Sequence, residues 1–248
     1  ESIARITPAN LVEFHARHFG PAGTIISVAG NVDWDPLRAQ VETLFGDWIG
    51  QPITPPDLQP PIRGNAHIDK DTTQTQIVIG YPSVPFGHPE YYDKQKTAHV
   101  LSGGMGARLF TEVREKRGLC YAVSANYQTF KQVAGILCYA GTTTERAQET
   151  LDVTLAELKR ITEGVTEEEV QRVRAGLKSS VIMQEESTSA RAGALASDWY
   201  YLDRVRTTEE IHDAINALTP ASILAHVTRH PPRDFTIVTL GKSALNVG

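Results

Sequence analysis

Five prolines, Pro52, Pro55, Pro56, Pro60 and Pro61, stand inside the stretch IGQPITPPDLQPPIRG. A proline has no amide N–H, its φ is fixed, and it steers the preceding residue out of the helical region. Such a stretch neither continues a helix nor lies in the middle of a sheet. It is expected to run extended and semi-rigid, at roughly 3 Å per residue. Any fold must break there. The break leaves a short first part, residues 1–60, and a long second part, residues 61–248.

The two parts share a pattern. TPANLVEFHARHFGPAGTIISVAG runs from Thr7 to Gly30, and TPASILAHVTRHPPRDFTIVTLG runs from Thr219 to Gly241. Each opens with a threonine suited to cap a helix and a proline suited to its first position. Both reach Arg-His at the same offset, Arg17-His18 and Arg229-His230, then cross a Gly/Pro break into a β-branched run that ends in glycine. This reads as one helix–strand unit used twice. The second copy closes a long α/β region, so the first copy is expected to close a related half lying mostly upstream, with the chain itself a fragment.

Periodicity supplies the remaining elements. Helices are expected at 8–19, 35–47, 90–102, 107–117, 144–163, from the capping box Thr166-x-x-Glu169 onward, at 187–202, from the capping box Thr207-x-x-Glu210 onward, and at 220–229. Strands are expected at 24–30, 74–82, 119–129, 133–142 and 234–240. A hairpin with flanking strands, and helices between and after, predicts an α+β fold: a mainly antiparallel sheet with helices on one face.

Charge excludes some functions. The net charge of −5 offers no basic face for nucleic acid. No apolar run approaches the ~18 residues of a membrane span. The two cysteines, Cys120 and Cys138, fall on neighbouring strands whose simplest register sets Ser124, not Cys120, opposite Cys138. That offset exceeds the reach of a disulfide, so free, buried thiols are expected. Asp33, Asp35 and the run Glu167–Glu169 read as helix cap and solvated face.

The stretch REKRGLCYAV, residues 114–123, poses the chemical question. A helix carrying Leu109, Phe110 and Val113 on its apolar stripe stops at Gly118, which suits a positive φ. Strand follows at once, with Leu119, Tyr121, Val123 and Ala125 expected on one face. Arg114 and Tyr121 flank the corner. On spacing alone, two readings stay open. Arg114 pairs with a nearby carboxylate and Tyr121 is an ordinary strand aromatic, or guanidinium and hydroxyl form a donor pair for a carbonyl oxygen gaining negative charge.

The block GGMGARLFTEVREKRGLCYAVSA resembles the second-half signature of the pitrilysin–insulinase family of zinc metallopeptidases, matching it at Arg108, Leu109, Phe110, Arg114, Gly118, Leu119 and Tyr121. FGPAGTIISVAGNVDWDPLRAQVETLFGDW is similar to the tail of that family's first half. The resemblance implies a LuxS/MPP-type metallopeptidase half within a partly duplicated architecture: 1–60 as the tail of the metal-bearing half plus linker, 61–248 as the second, non-zinc half. It further implies two halves closing as a clamshell on an extended peptide, with zinc held by His-x-x-Glu-His of the first half and peptide bonds hydrolysed there. In that plan Arg114 and Tyr121 are the catalytic contribution of the second half.

No His-x-x-Glu-His occurs in the sequence. The histidine pairs His15/His18 and His226/His230 lack the intervening glutamate and a third ligand, so no metal ligand is assigned and the chain alone is expected to be inactive. The implied partners are an extended peptide substrate and a zinc-bearing half or partner subunit, with self-association of the fragment as a further option. The alternative function, also from the family, is a metal-free partner or structural subunit of a heteromeric complex. Bacterial members suggest a periplasmic or cytoplasmic location.

Overall fold

The computed structural model describes residues 3–50, 59, 63–88 and 91–247. Most of the proline-rich stretch lies outside the described residues. The chain divides into two compact units: Glu1–Pro61 with Gln184–Tyr200, and Ile62–Met183 with Tyr201–Gly248.

In the first unit lie α1 (Pro8–His18) and α2 (Trp34–Phe45). Thr7 caps α1 reciprocally with Asn10: its Oγ1 accepts the Asn10 amide at 3.3 Å, and its own amide donates to Asn10 Oδ1 at 3.0 Å. Residues 24–30, expected as a strand, form none. The β-branched pattern is there, but a strand needs a ladder partner on at least one side, and this segment finds none among the described residues. Two of its side chains are tethered to backbone: Thr24 Oγ1 donates to the Gly20 carbonyl at 2.6 Å, and Ser27 Oγ donates to the Ala192 carbonyl at 2.8 Å.

The second unit is built on a five-stranded sheet: β1 (Asn65–Asp69), β2 (Gln74–Ser83), β3 (Cys120–Thr129), β4 (Ala134–Thr143) and β5 (Thr236–Gly241). Their order is β1-β5-β2-β4-β3. All pairs are antiparallel except β1 with β5, which are parallel. Here the second repeat copy finds what the first lacks, since β5 is paired on both sides. β1 was not anticipated; its sequence NAHID is short and polar, and only the neighbouring β5 makes a strand of it. The helices are α3 (Tyr91–Ser102), α4 (Ala147–Arg160), α5 (Glu167–Glu186), α6 (Thr188–Leu202), α7 (Thr208–Asn216) and α8 (Pro220–Arg229), the last part of α5 and most of α6 belonging to the first unit.

Alternation of the strands sorts the sheet's two faces. Ile77 and Ile79 of β2, Ile136, Cys138 and Ala140 of β4, and Ile237 of β5 are buried. Leu101, Leu109, Leu151, Leu158 and Ile223, from the helical segments, join them in one core, each side chain contributing about 1.5–3 kcal/mol by leaving water. The opposite face, with Gln74, Gln76, Val78, Leu137, Tyr139 and Val238, is only half-covered or exposed. The α+β architecture with helices on one face is thus realised. Both cysteines are free and buried, and Ala125, one place on from the expected Ser124, lies opposite Cys138.

Candidate functional site

The corner begins as an ordinary turn: the Thr111 amide reaches back four residues to the Ala107 carbonyl at 3.0 Å. Over Phe110–Glu115 the helix widens to π geometry. The Lys116 amide reaches five residues back to Thr111 at 2.9 Å, and the Leu119 amide six residues back to Val113 at 3.0 Å. A π turn accommodates one extra residue and rotates the side chains after it. Gly118 then takes φ +59°, the left-handed conformation that favours glycine. The carbonyls beyond it are held as well. The Arg146 guanidinium donates to the Gly118 carbonyl, and Thr142 Oγ1 donates to that of Leu119 at 2.5 Å. With its backbone groups satisfied, the corner is a fixed platform for the side chains it carries.

Four cations decorate this segment, and three are committed. Arg108, 8% exposed, makes a two-pronged ion pair with Glu169, Nε to Oε1 at 2.6 Å and Nη2 to Oε2 at 2.9 Å, and also donates to the Gly164 carbonyl at 2.7 Å. Lys116 and Arg117 both engage Glu112, at 2.7 and 2.9 Å. Their hydrogen bonds, that from Lys116 first, hold the Glu112 carboxyl below the usual range. Arg114 has no carboxylate partner among the described residues. It is exposed, its guanidinium lying 4.8 Å from the centroid of the Phe110 ring. Among the described residues, then, no ion pair of the kind that holds Arg108 engages Arg114. Glu169 in turn is not part of a solvated face. It is 12% exposed, and while burial pushes its carboxyl up, the Arg108 and Thr166 hydrogen bonds win and set it below the ordinary range.

Tyr121 does not share a face with Val123 and Ala125. A β-bulge falls between Cys120 and Ala122, so that Cys120 pairs with Thr142 and Ala122 with Gly141. A bulge adds a residue to one strand and re-aims its side chain. Tyr121 is that residue, and it is delivered, 54% exposed, to the uncovered face of the sheet. Its hydroxyl donates to Gln74 Oε1 at 3.2 Å. Beside it the Tyr139 hydroxyl donates to Gln76 Oε1 at 2.5 Å. Burial first, and the nearby Tyr121 hydroxyl second, push the Tyr139 phenol up. Gln74, Gln76 and Tyr139 were missed by sequence reasoning. The available signal was the polar residue at alternate positions of β2, where a half-covered strand shows its open side.

Arg114 and Tyr121 thus sit on either side of a rigid corner, with no hydrogen bond between them. The Arg114 charge still reaches Cys120, the residue before Tyr121: burial raises that thiol and Arg114 draws it partly back. Along the outer strand β3, a hollow of about 220 Å³ is lined by Ala98, His99, Ser102, Gly103, Ala125, Asn126 and Tyr127. The His226 and His230 rings lie 5.1 Å apart; among the described residues no group of three or more His, Cys, Asp or Glu side chains is arranged to hold a metal ion. No described helix is long and apolar enough to cross a membrane.

Comparison with known proteins gives the family and the fold. Residues 5–177 match the family described as the peptidase M16 inactive domain. An uncharacterized zinc protease of Rickettsia felis is 29% identical over 226 residues, 90% of this chain and 55% of that one. Another, of Bacillus subtilis, is 29% identical over 223 residues, 88% of this chain and 54% of that one. The chain therefore spans little more than half the length of these relatives. A crystal structure of a peptidase M16 inactive domain from Pseudomonas fluorescens superposes with a TM-score of 0.82 at 23% identity, covering 100% of this chain and 60% of that one; it shares the fold.

Proposed function

The chain belongs to the peptidase M16 inactive-domain family, and from that premise we propose that it is the substrate-holding, metal-free portion of a zinc-dependent endopeptidase. The zinc of the complete enzyme, bound by the other half, would polarise the scissile carbonyl and supply an activated water. None of the chemistry of this chain passes through the metal. Its part is to hold an extended peptide against the uncovered sheet face and the outer edge of β3, and to offer Arg114 and Tyr121 as donors. As the carbonyl carbon becomes tetrahedral, its oxygen gains negative charge. A guanidinium and a phenol carried on either side of one corner would stabilise that charge as donors.

One observation carries this reading. Of the four cations on the corner helix, Arg114 is the one without a carboxylate among the described residues, and it stands seven residues before the tyrosine that a bulge turns onto the open face. A guanidinium serving only the fold would sit as Arg108 does. The test is kinetic. In the complete enzyme, Arg114→Ala and Tyr121→Phe should each lower kcat for a fluorogenic extended peptide by about 10²-fold, the effect of losing one oxyanion donor, with the circular dichroism spectrum unchanged. Turnover within twofold of wild type in both variants would sink the proposal. The 248-residue chain on its own should hydrolyse nothing.

A further inference from the structure

The open face holds a second phenol whose placement the proposed chemistry does not yet use. Gln76 pairs with Gly141 across β2 and β4, and Ala122 pairs with Gly141 across β3 and β4. Gly141 is therefore the centre of a small patch, with Gln76 on one side and the Tyr121–Ala122 bulge on the other. Tyr139 precedes it by two positions on the same strand, hence on the same face. A Cβ at Gly141 would stand 2.8 Å from the Tyr139 hydroxyl, 3.0 Å from the Tyr121 hydroxyl and 3.1 Å from Tyr121 Cζ. Any residue but glycine would push both phenols away. The backbone at 141 has no positive φ to explain the glycine; the space above it does.

We propose that Gly141 and Tyr139 are positioning residues for Tyr121. The bare Cα of Gly141 makes the hollow where the two phenols meet, and Tyr139 sets where the Tyr121 hydroxyl stands. This inference rests on the reading of Tyr121 as an oxyanion donor.

The hydrogen-bond accounting supports it. A phenol has one proton to give and lone pairs to accept with. Tyr139 spends its proton on Gln76 at 2.5 Å, which leaves its hydroxyl only lone pairs to offer a neighbour. Tyr121 spends its proton on Gln74 at 3.2 Å, well beyond the usual 2.7–2.8 Å for two oxygens. That bond is weak and easily exchanged. An arriving oxyanion is a far better acceptor than an amide oxygen. The Tyr121 proton can turn to it while Gln76, through Tyr139, keeps the ring in place. The cluster thus holds one phenol firmly and leaves the other's proton available.

Two measurements decide. In the 248-residue chain carrying 13Cζ-tyrosine, Tyr139→Phe should shift the Tyr121 Cζ resonance, and Tyr121→Phe should bring the Tyr139 titration down toward an ordinary phenol. A Tyr121 resonance that Tyr139→Phe leaves unmoved overturns the inference. In the complete enzyme, Tyr139→Phe should lower kcat roughly five- to tenfold, the worth of one hydrogen bond, with KM little changed. In a Tyr121→Phe background the same change should cost nothing further, because a positioning residue acts only through its partner. A Tyr139→Phe loss that multiplies in full with that of Tyr121→Phe would mean independent action and reject the claim. If Tyr121→Phe alone leaves kcat intact, the catalytic reading of Tyr121 fails instead, and the resonance shift still decides whether Tyr139 places it. Gly141→Ala should reproduce both Tyr139→Phe signatures more strongly; Tyr139→Phe keeps the test open should that variant fold poorly.

Discussion

Arg108 and Arg114 lie six residues apart on one helical segment, and the structure gives them opposite fates. Replacing Arg108 by alanine removes both prongs to Glu169 and the donor to the Gly164 carbonyl, at 2.6, 2.9 and 2.7 Å. Arg108 and Glu169 are 8% and 12% exposed, so water screens the pair little and heals the gap poorly. Breaking a buried pair from one side costs about 3–5 kcal/mol, because the other charge stays behind. Glu169 keeps its capping bond from the Thr166 amide at 2.8 Å, which argues for the lower part of that range. A loss of about 3 kcal/mol in a unit of this size lowers Tm by roughly 10 °C. Arg114→Ala removes an exposed side chain with no anionic partner among the described residues and should stay within about 0.5 kcal/mol of wild type. The assay is urea and thermal unfolding followed by far-UV circular dichroism. Tryptophan emission is the wrong probe, since Trp34, Trp48 and Trp199 all fall in the first unit. Equal stabilities for the two variants would refute the division of labour between the two arginines.

The pH dependence of that pair has a definite sign. Glu169 is depressed in the folded chain, so its contribution is complete above the ordinary carboxylate range and fades as pH falls through the depressed value. Without Arg108, burial is opposed only by the Thr166 bonds and the carboxyl rises, so the difference between wild type and Arg108→Ala should narrow from pH 7 to pH 4; a constant urea-midpoint gap would contradict this. Burial first, then Cys120, pushes the Cys138 thiol up to about 12, and the thiolate is the reactive form. Ellman's reagent at pH 8 should leave Cys138 unmodified in the native chain and label both cysteines in urea, whereas rapid native labelling of both would refute the buried arrangement.

The sequence by itself determined what depends on neighbours along the chain. Thr7, Thr207 and Thr219 cap helices in the structure as their patterns imply. Gly118 ends its helix at positive φ, and the alternation of β2 and β4 separates the core face from the open one. These are consequences of backbone geometry and of burial period, which a few residues suffice to encode. The repeat in Thr7–Gly30 and Thr219–Gly241 was legible too, yet only one copy becomes a strand, because a ladder needs partners and, of the two, only β5 has them among the described residues.

The candidate site was legible only in outline, and for the same reason. Arg114 and Tyr121 could be named from their spacing around Gly118, but not what each touches. Arg108 finds its carboxylate 61 residues away on α5, which leaves Arg114 as the corner cation without a carboxylate among the described residues. Tyr121 changes face because β4 pairs past it and creates a bulge. Gly141 looks like any strand glycine until β2 and β3 bring two phenols over it. Each of these is decided by register between strands or by an ion pair across the core. No local propensity carries that information, and only tertiary packing supplies it.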